Sequence, residues 1–169
     1  MKQVLKNHVA IAVDVSDSMM HLLPDVVKVF NNQIEILRQQ SLNFEQETRV
    51  SVYEFANRVD CLISDVDVAR PMTLSKLTSK GMTALLDNVG LAVDDMKLLP
   101  QKYGDHSFII YVLTDGGENA SSKYGRDEFQ KLIEGLPDNF TVAAFVPDIN
   151  GVTAMQRLGI PKGNIDKWD

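Results

Sequence analysis

Residues 8–20 read HVAIAVDVSDSMM. Val9 to Val15 is a run of core-forming residues without polar alternation, the pattern of a strand buried on both faces at the centre of a parallel sheet. That run passes directly into Asp14, Ser16, Asp17 and Ser18, four oxygen-bearing side chains within five positions. Oxygen donors packed so densely at a strand's end serve either a helix cap or a hard metal ion. The segment alone leaves both open.

Around this strand, apolar runs rich in β-branched residues alternate with longer segments of helical spacing, the mark of a parallel α/β sheet. Val26, Phe30, Ile34 and Leu37 lie on one face of a predicted helix ending before Ser41. Arg49 to Phe55 and Val59 to Val66 read as strands separated only by Ala56, Asn57 and Arg58. A connection so short suits a hairpin and cannot hold a parallel crossover, so the second of these strands is expected antiparallel, at an edge. A loop through Arg70-Pro71 and residues 78–81 leads to a helix striped with Leu85, Leu86, Val89, Ala92, Val93, Met96 and Leu99. Phe108 to Leu113 is a strand running into TDGGEN. A helix around Phe129, Leu132, Ile133 and Leu136 follows, then a strand from Phe140 to Val146, a short helix around Val152, Met155 and Leu158, and a brief strand from Ile165 to Trp168. The expected fold is a doubly wound, Rossmann-like α/β domain spanning residues 1–169, mostly parallel with one antiparallel edge strand and helices on both faces.

Composition narrows the function classes. The chain has 169 residues, 44% of them hydrophobic, and 17 basic against 23 acidic residues give a net charge of −6. No Lys/Arg cluster interrupts that balance, which disfavours a phosphate-tracking surface and hence nucleic acid. One cysteine, Cys61, excludes an internal disulfide and a cysteine-based zinc cage. It falls in the apolar run 59–63 and is expected to be a buried strand residue. The N-terminal residues read as a first strand and not as a signal peptide, and no apolar run approaches a membrane span. A soluble, cytoplasmic protein is the resulting expectation.

In an open parallel sheet, ligands bind beyond the carboxyl ends of the strands, where strand order reverses. DVSDS at 14–18, SKGMTALLD at 79–87 and TDGGEN at 114–119 fall there or beside it. If the first strand neighbours the one ending at Leu113, Asp14 and Asp115 share one rim, and Thr83 can reach it from its loop. Two carboxylates and three hydroxyls suit a hard cation, which wants about six oxygens and often keeps some waters. So few negative charges leave the ion electrophilic, with a position for an outside carboxylate. The same residues also admit bland roles: Ser16, Asp17, Ser18 and Thr83 as helix caps, and Asp115-Gly116-Gly117 as a turn.

DVSDS, the Thr83 of GMTALLD and the Asp115 of LTDGGEN resemble the three-part metal-ion-dependent adhesion site of von Willebrand factor type A domains, whose first motif is Asp-x-Ser-x-Ser. In order and spacing the resemblance runs from Val9 to about Ile165. GMTALLDNVGLAVDDM, YVLTDGGENASSKY and LGIPKGN look like the small stand-alone members found in bacteria and their phages. The resemblance implies a doubly wound fold and a rim-bound Mg²⁺ or Mn²⁺, with Ca²⁺ sharing the same ligand chemistry. It also implies a protein partner that offers an acidic side chain to the metal. The expected ligands are Asp14, Ser16, Ser18, Thr83 and Asp115. Many relatives carry glycine between the two serines, where this chain has Asp17.

A non-enzymatic binding module is therefore the leading reading. Its rivals are a Mg²⁺-dependent phosphoryl-transfer enzyme and a scaffold with a vestigial site. The first rival lacks the second acid that Asp-x-Asp would place at Ser16, and no Walker loop, G-x-S-x-G elbow or EF-hand glycine is present. His21 and His106 flank the expected rim without a zinc spacing and read as exposed loop residues. Asp94-Asp95 reads as a solvated helix face, and Trp168 as a packing residue. Met19, Met20, Glu118 and Asn119 stand next to the expected metal as candidates for partner selectivity.

Overall fold

The opening run forms β1, Lys6–Asp14, in a computed structural model that describes residues 4–74, 76–99, 101 and 105–168. Every residue of β1 from His8 onward is buried. Parallel partners flank it on both sides, β2 (Glu47–Phe55) and, beyond β3 (Val59–Asp67), β4 (His106–Leu113). With β5 (Phe140–Val146) and β6 (Ile165–Lys167), they form a six-stranded sheet ordered β3-β2-β1-β4-β5-β6. β3 runs antiparallel at the edge and all other pairs are parallel, so the Ala56–Arg58 connection is the hairpin its length requires. The chain winds outward from β1 through β2 and β3, then crosses to β4. The order thus reverses between β1 and β4, where a crevice opens at their carboxyl ends.

Helices α1 (Leu23–Asn43), α2 (Leu85–Lys97), α3 (Arg126–Glu134) and α4 (Ile149–Arg157) cover the two faces unequally. The period-2 alternation of β1 divides its side chains between two cores. Ala10 and Ala12 pack with Leu85, Val89 and Val93 of α2, with Phe129 of α3 and with Met155 of α4. Val9, Ile11 and Val13 pack with Val26, Phe30 and Ile34 of α1. Small residues face the more crowded side and β-branched ones the single helix. Phe30 and Ile34 are at most 1% exposed, and burial of each side chain is worth about 1.5–3 kcal/mol.

Several expectations need correction. α1 runs to Asn43 and does not stop before Ser41, because the Ser41 hydroxyl donates to the Gln46 carbonyl at 2.5 Å instead of competing with the helix. Strands β1, β2 and β4 begin two or three residues earlier than their apolar runs, at Lys6, Glu47 and His106, since ladder pairing extends beyond the buried stretch. Cys61 is exposed, because it lies on the edge strand β3, whose residues are all exposed or only half-buried. His106 is not a loop residue at the rim. It begins β4 at the opposite end of the sheet, 9% exposed, with His8 Nε2 3.0 Å from its Nδ1 and the rings stacked at 5.2 Å. Burial, then the neighbouring His106, lowers the His8 pKa. Trp168 is buried against the α1-side core, as expected of a packing residue.

Candidate functional site

Three loops meet at the crevice. The first leaves β1. Asp14, its last residue, is 0% exposed, and both carboxylate oxygens are engaged. Oδ1 accepts the Ser16 N–H at 2.9 Å, and Oδ2 accepts the Thr114 hydroxyl at 2.7 Å. Burial pushes the Asp14 carboxyl up to about 6, opposed by hydrogen bonds from Ser16 and Thr114 and assisted by the nearby Asp115. Beyond it, Ser16 Oγ lies 3.3 Å from Ser18 Oγ. Ser16 is buried and Ser18 exposed, so this pair of hydroxyls leads from the core to the surface.

Neither serine is a side-chain cap. Residues Asp17–Met19 form a short 3-10 turn whose N-cap, Ser16, makes no side-chain capping bond, and α1 starts only at Leu23. Asp17 instead fastens the first loop to the second. Its Oδ1 accepts the Gly81 N–H at 3.1 Å while its own N–H donates to the Gly81 carbonyl at 2.8 Å. A glycine at 17 would keep only the backbone half of this staple.

The second loop delivers Thr83, 3% exposed. Thr83 is not the cap of α2 either, for the N-cap position belongs to Ala84, which has no side-chain acceptor. The first N–H groups of that helix still require partners. They come from the third loop: Glu118 Oε2 accepts the Leu86 N–H at 2.9 Å, and Ser121 Oγ accepts the Asp87 N–H at 3.0 Å. Asn119 Oδ1 accepts the Thr83 N–H at 2.8 Å, and the Thr83 carbonyl receives the N–H groups of Asn119 and Ala120 at 2.9 Å each. The β4 loop therefore caps α2 from a distance and sets the position of Thr83. Asp87 returns the contact by accepting the N–H groups of Ser122, Lys123 and Tyr124. The Tyr124 ring then occupies the space a Cβ at Gly90 would fill, 2.2 Å from its nearest atom.

These bonds revise the candidates for selectivity. Glu118 and Asn119 position the loops, and Met19 is 0% exposed in the core; Met20, at 62% exposure, and Asn119, which is exposed at the groove, stay accessible. Thr114 was missed by sequence reasoning, although its signal was present: parallel pairing of Val13 with Leu113 sets the next residues, Asp14 and Thr114, side by side. Its hydroxyl also accepts the Gly116 N–H at 3.1 Å, shaping the turn that carries Asp115. His21 is exposed and lines the same groove. Asp94 and Asp95 are half-buried and accept the hydroxyls of Tyr124 and Tyr53, both at 3.3 Å, so they are less solvated than expected.

Ser18, Thr83 and Asp115 line one groove of about 580 Å³, together with Gly117, Asn119 and Asp148. Asp115 Oδ1 accepts the Gly117 N–H at 2.9 Å. A Cβ at Gly117 would sit 3.2 Å from Asp115 Oδ1 and 3.7 Å from Thr83 Oγ1. The missing side chain thus leaves open a space bordered by the threonine hydroxyl and the aspartate. Among the described residues no three His, Cys, Asp or Glu side chains gather as a metal cluster. Any cation here would be met by carboxylates and neutral hydroxyls, a hard and weakly charged donor set that fits Mg²⁺ or Mn²⁺ and suits thiophilic metals poorly.

With Glu118 as the remote cap of α2, Glu118→Ala should lower stability by about 1–3 kcal/mol, since the part-buried N–H groups of Leu86, Ala120 and Ser121 lose their acceptor together. Chemical denaturation measures it. A midpoint unchanged from wild type would remove the capping role.

Neither a family model nor a curated protein sequence matches the chain. Comparison of folds is informative. The pilus adhesin SpaC from Lactobacillus rhamnosus GG matches 99% of this chain over 28% of its own length, with a TM-score of 0.75 and 12% identity. BatB from Bacteroides thetaiotaomicron matches 96% of this chain over 90% of its own, with a TM-score of 0.66 and 18% identity. Proximal thread matrix protein 1 of the mussel byssus, in a form with a zinc-occupied MIDAS motif, matches 97% over 41% of its length, with a TM-score of 0.61 and 15% identity. The chain spans 42% of the VWA2 protein of Sulfolobus acidocaldarius, at a TM-score of 0.59. At such identities the likeness shows the fold: a von Willebrand factor type A, Rossmann-like α/β sheet. No helix among the described residues is long and apolar enough to cross a membrane.

Proposed function

We propose that this chain is a cytoplasmic, metal-dependent protein-binding module. Asp14, Ser16, Ser18, Thr83 and Asp115 hold one divalent cation, Mg²⁺ or Mn²⁺ with Ca²⁺ as the alternative, and the bound ion supplies a Lewis-acidic position for an acidic side chain of a partner protein. The reading rests chiefly on the open space at Gly117 between Thr83 Oγ1 and Asp115 Oδ1. Asp14, fixed by Ser16 and Thr114 and near enough to Asp115 to feel its charge, contributes a buried carboxylate to the set. Ser16 and Ser18 extend the oxygen set outward, and Asp17, Glu118 and Asn119 hold the three loops together. A pilus adhesin with this fold, and a matrix protein with this fold whose MIDAS motif holds zinc, lend support.

Besides the metal ion, the phosphoryl-transfer alternative needs a basic side chain to neutralise the transferred group and a second acid on β1's loop. Among the described residues neither lysine nor arginine lines the groove, and Ser16 occupies the place of that acid.

Titration calorimetry with Mg²⁺, Mn²⁺ and Ca²⁺ tests the reading. One site per chain is expected, with a matching rise in melting temperature because the ion binds only the folded state. A folded protein that takes up none of the three at millimolar concentration would end the proposal.

A further inference from the structure

Next to the metal loop, a second groove of about 560 Å³ lies between the start of α1 and residues 76–79. Met20, Leu23, Pro24, Val27 and Leu77 give it apolar walls. Lys28 and Lys76 line it as well, both exposed, and neither has an ion-pair partner among the described residues. Elsewhere Lys6, Lys80 and Lys123 are held by Glu47, Glu54 and Asp94. Met20, 62% exposed, lines this groove, and the next two residues, His21 and Leu22, line the metal groove, so the two grooves share one chain segment.

The charge around the two grooves is divided. The metal groove is bordered by Asp115 and Asp148, with Asp17 on the adjoining turn, and these repel an acidic partner unless a cation intervenes. The apolar groove offers the reverse, two uncompensated ammonium groups beside aliphatic walls. A chain with net charge −6 that keeps such a patch beside its acidic rim is complementary to an acidic ligand carrying apolar side chains.

We infer that the partner is an extended acidic and aliphatic protein segment. One carboxylate meets the metal, an adjacent Leu, Ile, Val or Met side chain enters the groove between Met20, Val27 and Leu77, and a second carboxylate lies against Lys28 and Lys76. This inference rests on the metal-dependent reading and adds the chemistry of what is bound.

A random peptide library displayed on phage, selected on the full chain in Mg²⁺, provides the probe, and a selected peptide is then synthesised with a fluorophore for anisotropy. Enrichment of acidic residues next to aliphatic ones is expected. Binding should be abolished by EDTA and weakened at least tenfold by the pair Lys28→Glu and Lys76→Glu, and separately by Val27→Asp, in variants that keep the wild-type melting temperature. Peptides that need metal but ignore the groove variants would overturn this inference and leave the metal reading standing. Peptides that need the groove but ignore EDTA would overturn the metal reading and the two-point arrangement with it. Selection of no acidic–aliphatic motif, with a concentration-dependent dimer broken by the same charge reversals, would assign the groove to a second copy of the chain and overturn the inference.

Discussion

Asp14→Asn is expected to abolish stabilisation by divalent metal and yet to make the metal-free protein more stable at neutral pH. The carboxyl of Asp14 is 0% exposed and is pushed up to about 6 from an ordinary value of 3.8, chiefly by burial. A carboxyl whose pKa is raised on folding favours the fold when protonated, and that advantage is lost as pH rises through the folded value. Between pH 4 and 7 the metal-free wild type should therefore lose about 2–3 kcal/mol. The amide cannot ionise, so that loss is absent in the variant. Its oxygen can still accept the Ser16 N–H, while the Thr114 hydroxyl exchanges a carboxylate acceptor for an amide donor, at a cost of about 1 kcal/mol. The net gain at pH 7.5 should be about 1–2 kcal/mol, smaller than the pH effect it removes.

Metal is expected to reverse the balance in the wild type alone. A cation near the buried carboxylate offsets its desolvation, and melting temperature should rise with Mg²⁺ or Mn²⁺ above pH 6 and respond little below pH 5, where protons compete for the same oxygens. Melts of both proteins from pH 4 to 8, with metal and with EDTA, decide the matter. If wild type and Asp14→Asn show the same pH slope and the same response to metal, Asp14 is a structural hydrogen-bond acceptor and the site has no anionic anchor.

The parts of the fold that were legible are those where one local constraint admits one outcome. The three residues between β2 and β3 force a hairpin, and the unbroken apolar run of β1 forces a central position. Those two facts left the neighbour of β1 on its other side open; the observed order places β4 there and brings the loops after β1 and β4 together, with Thr83 arriving from the loop before α2. Burial at the margins was less legible. Cys61 lies in an apolar run but on the uncovered edge, and His106 looks like a loop residue until ladder pairing draws it into β4 beside His8. Met19 is turned inward by a three-residue 3-10 turn that no periodicity announces. The roles of Glu118 and Asn119 depend on partners more than 30 residues away. The sequence offered Thr83 as the cap of α2; only the observed start at Leu85, with Ala84 at the N-cap, requires acceptors from another loop.

That remote capping makes Thr83 a clean test of the proposed metal site. Its backbone is held by Asn119 and Ala120, and α2 is capped by Glu118 and Ser121, so the Thr83 hydroxyl has no capping duty. Thr83→Ala should cost about 1–2 kcal/mol, the loss of a buried methyl and a hydroxyl that caps no helix. Metal affinity should nevertheless fall 10- to 100-fold, the scale expected when one oxygen that fixes the ion's geometry is replaced by water. Thr83→Ser, which retains the hydroxyl at the same backbone position, should recover most of the affinity. Glu118→Ala supplies the contrast, because losing the cap should lower stability first and disturb metal binding only through loop position. The comparison is made by calorimetric titration of Mn²⁺ alongside denaturation of each variant. Metal affinity unchanged in Thr83→Ala would remove the second loop from the ligand set. Asp14, the serines and Asp115 would then have to hold the ion alone, and the open space at Gly117 would lose its meaning as a binding position.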